Sequence, residues 1–162
     1  MQYGSALKIV VLMILLLPKI GGATCLGLGC NCTIGASGVS FGSYNPLSAS
    51  PNNSTGSMSV TCSALVLGLL VGYEMQLSTG SGSYATRKMQ SGANQLNYNL
   101  YTDAARTLIW GDGSGGTQTV SDSYLLMISP TVTNYTVYGR IPALQNVMTG
   151  SYSDSIIASV IF

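Results

Sequence analysis

Histidine is absent from this chain of 162 residues. Its absence removes the commonest general base and the commonest metal ligand. Charge is nearly absent too: Asp, Glu, Lys and Arg make up 7% of the sequence, against roughly 25% in ordinary soluble domains. The formal net charge of +1 offers no basic surface for nucleic acid. Five carboxylates and no activated serine give no constellation for hydrolysis, so no enzymatic activity, cofactor or metal is expected. Trp and Phe are scarce, one and two, beside ten Tyr. Polarity comes instead from Gly, Ser, Thr and Asn, a balance usual for exported β-rich proteins. The length fits one domain with a sizeable core.

No apolar run approaches the ~20 residues that cross a bilayer as a helix. The run Ile9 to Leu17, after Lys8 and before Pro18, Lys19 and the small residues Gly21, Gly22 and Ala23, has the form of a secretory signal peptide. Cleavage is expected after Ala23. Residues 1–23 are then the signal peptide and 24–162 the mature domain, which loses Lys8 and Lys19 and becomes slightly acidic. Four cysteines remain: Cys25, Cys30, Cys32 and Cys62. Export favours disulfides, and four cysteines allow three pairings. Cys30 and Cys32 are poorly placed to join each other. The favoured pairing is Cys32–Cys62, between the first strand and the next, with Cys25–Cys30 closing a small loop. Without histidine or a paired Cys-x-x-Cys, a zinc site has little support.

The rest of the chain alternates with a period of two. Leu96, Tyr98 and Leu100 form the inward stripe of a strand, with Asn97, Asn99 and Tyr101 outward. Arg106 to Trp110 reads as a second short strand, and Asp112-Gly113 as a turn. Thr33 to Gly42 carries the first strand, with Val39 and Phe41 on one face. Asn45 to Gly56 is a loop. Met58, Val60 and Cys62 point inward from the next strand, and Tyr73, Met75 and Leu77 from the one after. Gly80 to Tyr84 turns the chain, and Arg87 to Met89 is briefly extended. Ser123 to Ile128 is an apolar strand. Asn134 to Pro142 is amphipathic, with Tyr135, Val137, Gly139 and Ile141 on one face. Asp154 to Phe162 closes the chain with the stripe Ile156, Ala158, Val160 and Phe162, while Ile157 and Ile161 partly cover its other face. Short strands between turns indicate an all-β Greek-key sandwich.

Ala64 to Val71 breaks the alternation, being apolar throughout. It reads as a buried strand or edge. The alternative is an exposed adhesive loop displaying Leu65, Leu67, Leu69 and Leu70, since exposed apolar patches commonly mark contact sites. Gly111 to Gly116 matches G-x-G-x-x-G, but the following Thr117-Gln118-Thr119-Val120 is a poor helix start, so a hairpin turn is the better reading. Asp103 and Arg106 are expected to pair across a turn. Asp112 and Asp122 are expected to be solvated turn residues, and Arg140 to point outward.

Several stretches resemble the spore coat protein U domain. They are Phe41-Gly42-Ser43-Tyr44-Asn45-Pro46, Val60-Thr61-Cys62, Arg87-Lys88-Met89, Tyr98 to Asp103, Trp110 to Gly113, Val137 to Pro142 and Gly150 to Asp154. The family includes subunits of archaic chaperone–usher pili. The resemblance implies an incomplete immunoglobulin-like sandwich that lacks its last strand. A periplasmic chaperone, and then the N-terminal extension of the next subunit, fills the groove by β-augmentation. Ile156, Ala158, Val160 and Phe162 are the implied groove residues, and Cys32 and Cys62 match the cysteine pair common in the family. The implied partners are that chaperone, an outer-membrane usher and neighbouring pilus subunits. Nucleic acid is not implied, and the membrane is met only through the cleaved signal peptide. The implied location is the bacterial cell surface, reached through the periplasm, or the medium. Only Thr24 to Asn31 precede Cys32, whereas a donor extension needs ~10 or more alternating residues, about one strand. The expectation is a receiving subunit, at a fibre tip or as a terminator. A spore or cyst coat protein and a secreted carbohydrate-binding sandwich are the alternatives.

Overall fold

The computed structural model describes residues 24–25, 29–65, 69–126 and 129–162. The expected signal peptide, and Leu67 of the apolar run, lie outside them. The described residues form nine strands: β1 (Thr24–Cys25), β2 (Asn31–Ser37), β3 (Asn52–Ser63), β4 (Leu69–Leu77), β5 (Arg87–Ser91), β6 (Asn94–Tyr101), β7 (Val120–Leu126), β8 (Thr131–Ile141) and β9 (Ala158–Ile161). No helix occurs among the described residues.

The strands form two antiparallel sheets. One has the order β2-β3-β8-β6-β5. In the other, β4 is central and uses both edges. Met75 faces Val120 of β7 on one side and Val160 of β9 on the other. Further along that second side, Gly72 faces Thr24, so β1 and β9 lie end to end. A constant-type immunoglobulin sandwich has one sheet in the order A-B-E-D and the other in the order C-F-G. Here β2, β3, β8 and β6 stand in the order A-B-E-D, and β4 and β9 stand as C and F. Among the described residues no strand takes the place of G, outside β9. The fold is an incomplete immunoglobulin-like Greek-key sandwich.

The two-residue period places the core. Met58, Val60 and Cys62 of β3, Tyr73, Met75 and Leu77 of β4, and Leu96, Tyr98 and Leu100 of β6 are all buried. So are Val137 and Ile141 of β8. Gly139, between them, leaves room for the segment that follows β2: a Cβ there would lie 2.7 Å from side-chain atoms of both Val39 and Phe41. Trp110 is fully buried, and its indole N–H donates to the Met75 carbonyl at 3.2 Å.

Several expected boundaries move. The first strand ends at Ser37, not Gly42, because beyond it the carbonyls of Ser40, Phe41 and Ser43 are taken by the side chains of Ser54 and Asn52 instead of by a ladder. The expected loop to Gly56 is shortened, since β3 starts at Asn52 opposite Ile141 and polar side chains do not prevent backbone pairing. Arg106 to Trp110 is not a strand: only isolated bridges form, at Ile109 and Trp110, and Arg106 has a left-handed φ of 59°. The apolar strand expected at Ser123–Ile128 is β7, which begins at Val120 and ends at Leu126; residues 127–128 lie outside the described residues. The last strand covers only Ala158–Ile161, and Ile157 and Ile161 are both exposed.

Two polar expectations are also corrected. Asp103 does not pair with Arg106. Its carboxylate accepts from the amides of Thr107 and Leu108 at 2.9 and 2.8 Å, while Arg106 donates to the carbonyls of Gly139 and Ala104. Asp122 lies in β7, not in a turn, and accepts the Tyr135 hydroxyl at 2.9 Å. Arg140 does point outward, donating to Asn53 at 2.9 Å.

Candidate strand-binding cleft

Among the described residues β9 pairs with β4 alone and β2 with β3 alone, so each keeps an unpaired edge. Where β2 ends and β9 begins, a cleft of about 1100 Å³ opens, bordered by Ala36 and Ser37 of the one and Ala158 of the other. Its floor is apolar and belongs to the core: Met58, Leu77, Leu96, Leu100, Val137 and Ile141. Two irregular segments form its rims, residues 38–44 on the β2 side and residues 147–156 on the β9 side.

The rims are held by side chains. Phe41 leans edge-on against Tyr98, with 6.0 Å between ring centroids, and reaches over Gly139. Asp154 anchors the opposite rim, accepting from the Tyr98 hydroxyl at 2.7 Å and from the Ser81 amide and hydroxyl at 3.0 and 2.9 Å. Burial, and then the bond to Asp154, raise the Tyr98 phenol well above its ordinary pKa, so it stays a hydrogen-bond donor. An unpaired strand edge beside an apolar floor has one chemical capacity: it accepts an extended chain, with backbone bonds for affinity and pockets for alternate side chains.

The sequence-expected groove residues divide. Ile156 and Ala158 line the cleft. Val160, opposite Met75, packs against the core. Phe162 lies beyond the end of β9, is 39% exposed and does not line the cleft.

Sequence reasoning assigned no role to Arg87, which is fully buried. Its guanidinium donates to the Ser78 carbonyl at 3.1 and 2.8 Å, to the Trp110 carbonyl at 2.7 Å and to Asn99 Oδ1 at 2.7 Å. Asn99, also buried, donates in turn to the Tyr84 and Ala85 carbonyls. Burial lowers the pKa of Arg87, with nearby tyrosines and Asp154 opposing the shift. The signal was present in phase: Arg87 and Met89 share a face of β5, and Met89 is inward.

The end of the sandwich remote from the cleft is crosslinked and apolar. Cys32 and Cys62 face each other across β2 and β3 and are joined by a disulfide; Cys25 and Cys30 form a second. The run Ala64 to Val71 fits neither of its two readings whole. Ala64 and Val71 are buried, Leu65 is 77% exposed, and Leu70 is exposed opposite the exposed Leu125. Of Leu69 only the backbone, at the start of β4, is described.

Topology thus defines the class first, an immunoglobulin-type sandwich short of one strand. Within that class, the chain belongs to the Spore Coat Protein U domain family, whose model matches residues 26–159. It is 31% identical over 153 residues to Protein U of Myxococcus xanthus, an alignment that covers 89% of this chain and 80% of that protein. Among solved structures, it is similar in fold to a chain of the CsuC–CsuE chaperone–tip adhesion subunit pre-assembly complex from archaic chaperone-usher Csu pili of Acinetobacter baumannii. There the TM-score is 0.52 at 23% identity, over 82% of this chain and 40% of the longer one.

Proposed function

We propose that the chain is an exported, non-enzymatic subunit of a chaperone–usher surface fibre, and that it receives a strand from another polypeptide in the cleft beside β9. The observation that carries this reading is the apolar cleft that opens where β2 ends and β9 begins, beside two strands that each lack a second hydrogen-bonded neighbour among the described residues. The fold it shares with a chain from a chaperone–tip adhesion subunit complex supports the same assignment. Residues 1–23 act as the cleaved signal. A periplasmic chaperone occupies the cleft first, an outer-membrane usher receives the pair, and the extension of a neighbouring subunit replaces the chaperone.

The chain is a receiver, at a tip or in a minor position. Thr24, Cys25 and Cys30 are engaged in its own fold, by the pairing of β1 with β4 and by the Cys25–Cys30 disulfide. Leu65, Leu70 and Leu125 at the remote end supply an apolar surface for adhesion and biofilm formation. Co-expression with the periplasmic chaperone tests the core of this reading: a soluble one-to-one pair is expected, with insoluble protein when the chain is made alone. A stable, soluble monomer whose cleft binds no added strand peptide would sink it. Replacing Leu65 and Leu125 by serine tests the adhesive part, with weaker surface attachment expected at unchanged assembly. The family's spore coat name and the likeness to Protein U favour a second reading, a coat protein laid down on a resting cell.

A further inference from the structure

Resting on the strand-acceptor reading, we infer that the body of the strand-donating subunit seats on the end of the sandwich formed by the segments around Leu47 and Leu144–Met148. The opposite end, with Leu65 and Leu125, then faces away from the fibre.

The direction follows from the register along one edge of β4. β9 runs from Ala158, opposite Leu77, to Ile161, opposite Glu74. Beyond it on the same edge comes β1, with Thr24 opposite Gly72 and Cys25 opposite Val71. The Cys25–Cys30 disulfide fixes that segment, and Leu65 packs so closely on Gly29 that a Cβ there would lie 2.5 Å from it. The cleft is therefore stoppered above β9. An extension must then enter from the lower, open end with its first residues leading, and the inserted strand runs downward, antiparallel to β9 as in the chain's own pairs. Its following residues emerge at the lower end, and the donor's body follows its extension.

That lower end is prepared as a contact surface. Leu47, Leu144 and Met148 are 85%, 64% and 69% exposed. Their two segments are bound together: the Tyr44 hydroxyl donates to the Pro142 carbonyl at 3.0 Å and accepts from the Gln145 amide at 2.8 Å. The Gln145 side chain clamps both backbone groups of Asn97, at 2.9 and 2.8 Å. Leu144, between Pro142 and this clamp, is held in the left-handed region at φ 57°, an uncommon place for a bulky side chain. Neither residues 41–51 nor residues 142–149 contain a charged side chain. A strained, fixed and exposed leucine in neutral surroundings beside the exit of the cleft suits an apolar, uncharged patch on the neighbouring body.

A photo-crosslinking amino acid at Ile156, Met148, Leu47 or Leu125, in cells that assemble the full chain with its chaperone and usher, tests the arrangement. The expected result joins Ile156 to the N-terminal extension of one exported protein, joins Met148 and Leu47 to the globular part of that same protein, and joins Leu125 to neither. If Ile156 is joined to an extension while Leu125, and not Met148, reaches the donor's body, the inference is overturned and the acceptor reading survives. If Ile156 joins no second chain, both fall. The double variant Leu47→Asn/Leu144→Asn keeps a residue type that tolerates the left-handed region, and its incorporation into fibres should drop roughly tenfold. Undiminished incorporation counts against the seat, provided that strand-peptide binding to the cleft is intact.

Discussion

On the β7 side, the lower gap between the sheets is closed by the chain itself. Gly111 accepts from the Leu77 amide on one sheet, the Trp110 amide donates to the Leu100 carbonyl on the other, and Arg87 ties both to Ser78 and Asn99. On the β9 side, the matching gap is the cleft, with apolar floor residues and rims held by scattered side-chain bonds. The same sequence supplies both seams. Its one tryptophan and the one fully buried cation among the described residues belong to the first, and the second is the seam that the proposed added strand would fill. A closed seam holds the fold together, and an open one would, on the strand-acceptor proposal, make folding depend on assembly.

The largest effect should come from closing the open seam. Fusing an alternating apolar strand so that it lies beside β9 would bury three or four side chains, and at ~1.5–3 kcal/mol each the gain is on the order of 5 kcal/mol. For a domain of this size that raises Tm by about 10–20 °C in a calorimetric scan against the unfused chain, which, like the variants below, is refolded and measured at low concentration. An unchanged Tm would mean that the cleft is not a strand site.

Opening the closed seam comes next. Arg87→Met leaves the Ser78 and Trp110 carbonyls without a donor, while Asn99 Oδ1 keeps only the Leu100 amide. At ~1–3 kcal/mol for each buried group left unsatisfied, the loss is about 3 kcal/mol or more, read as a lower urea midpoint. Arg87→Lys should recover only part of it, because a point charge cannot serve the three directions of a guanidinium fork. The contrast sharpens with a cleft variant: Ile156→Asp should abolish strand-peptide binding while moving the midpoint far less than Arg87→Met.

Disulfide removal ranks third. Cys32→Ser with Cys62→Ser should cost about 2–4 kcal/mol, since that bridge closes a long loop. Cys25→Ser with Cys30→Ser should cost about 1–2 kcal/mol less, because its loop is short. Equal losses would show that β1 contributes to the sandwich through more than its crosslink.

Much of the fold was legible because burial on one face imposes a period of two. Met58, Val60 and Cys62, or Leu96, Tyr98 and Leu100, declare their direction without knowledge of any neighbour. Strand ends at the seams were not legible. Val39 and Phe41 alternate as a strand would, yet their segment bonds to the side chains of Asn52 and Ser54, because no strand lies on its far side. Ile109 and Trp110 likewise make only bridges. Pairing is a property of two segments, and the pattern of one cannot contain it. Of the groove residues that the family resemblance implied, Ile156 and Ala158 line the cleft, while Phe162 lies beyond a last strand of four residues. Leu47, Leu144 and Met148 stand far apart in the chain, so only the fold collects them at one end.

The smallest effect tests how the two seams meet, at Tyr98. Its hydroxyl joins the rim of the cleft through Asp154, and Arg87, in the closed seam, lowers its pKa against the larger upward pull of burial. A phenol whose folded pKa lies above its unfolded value of 10.0 stays protonated longer in the folded chain. The stability it contributes is whole below pH 10 and is lost as pH rises from there toward the folded value. Tyr135, raised by burial and by its bonds to Tyr73 and Asp122, adds a loss of the same sign. Tyr98→Phe removes a hydrogen bond to a carboxylate and should cost about 1.5–3 kcal/mol at neutral pH. It also removes the ionisation, so the stability curves of the parent and the variant should converge above pH 10 in alkaline unfolding followed by circular dichroism and tyrosinate absorbance. Parallel curves would place the alkaline loss elsewhere, with Tyr135, and would separate the rim of the cleft from the seam that Arg87 holds shut.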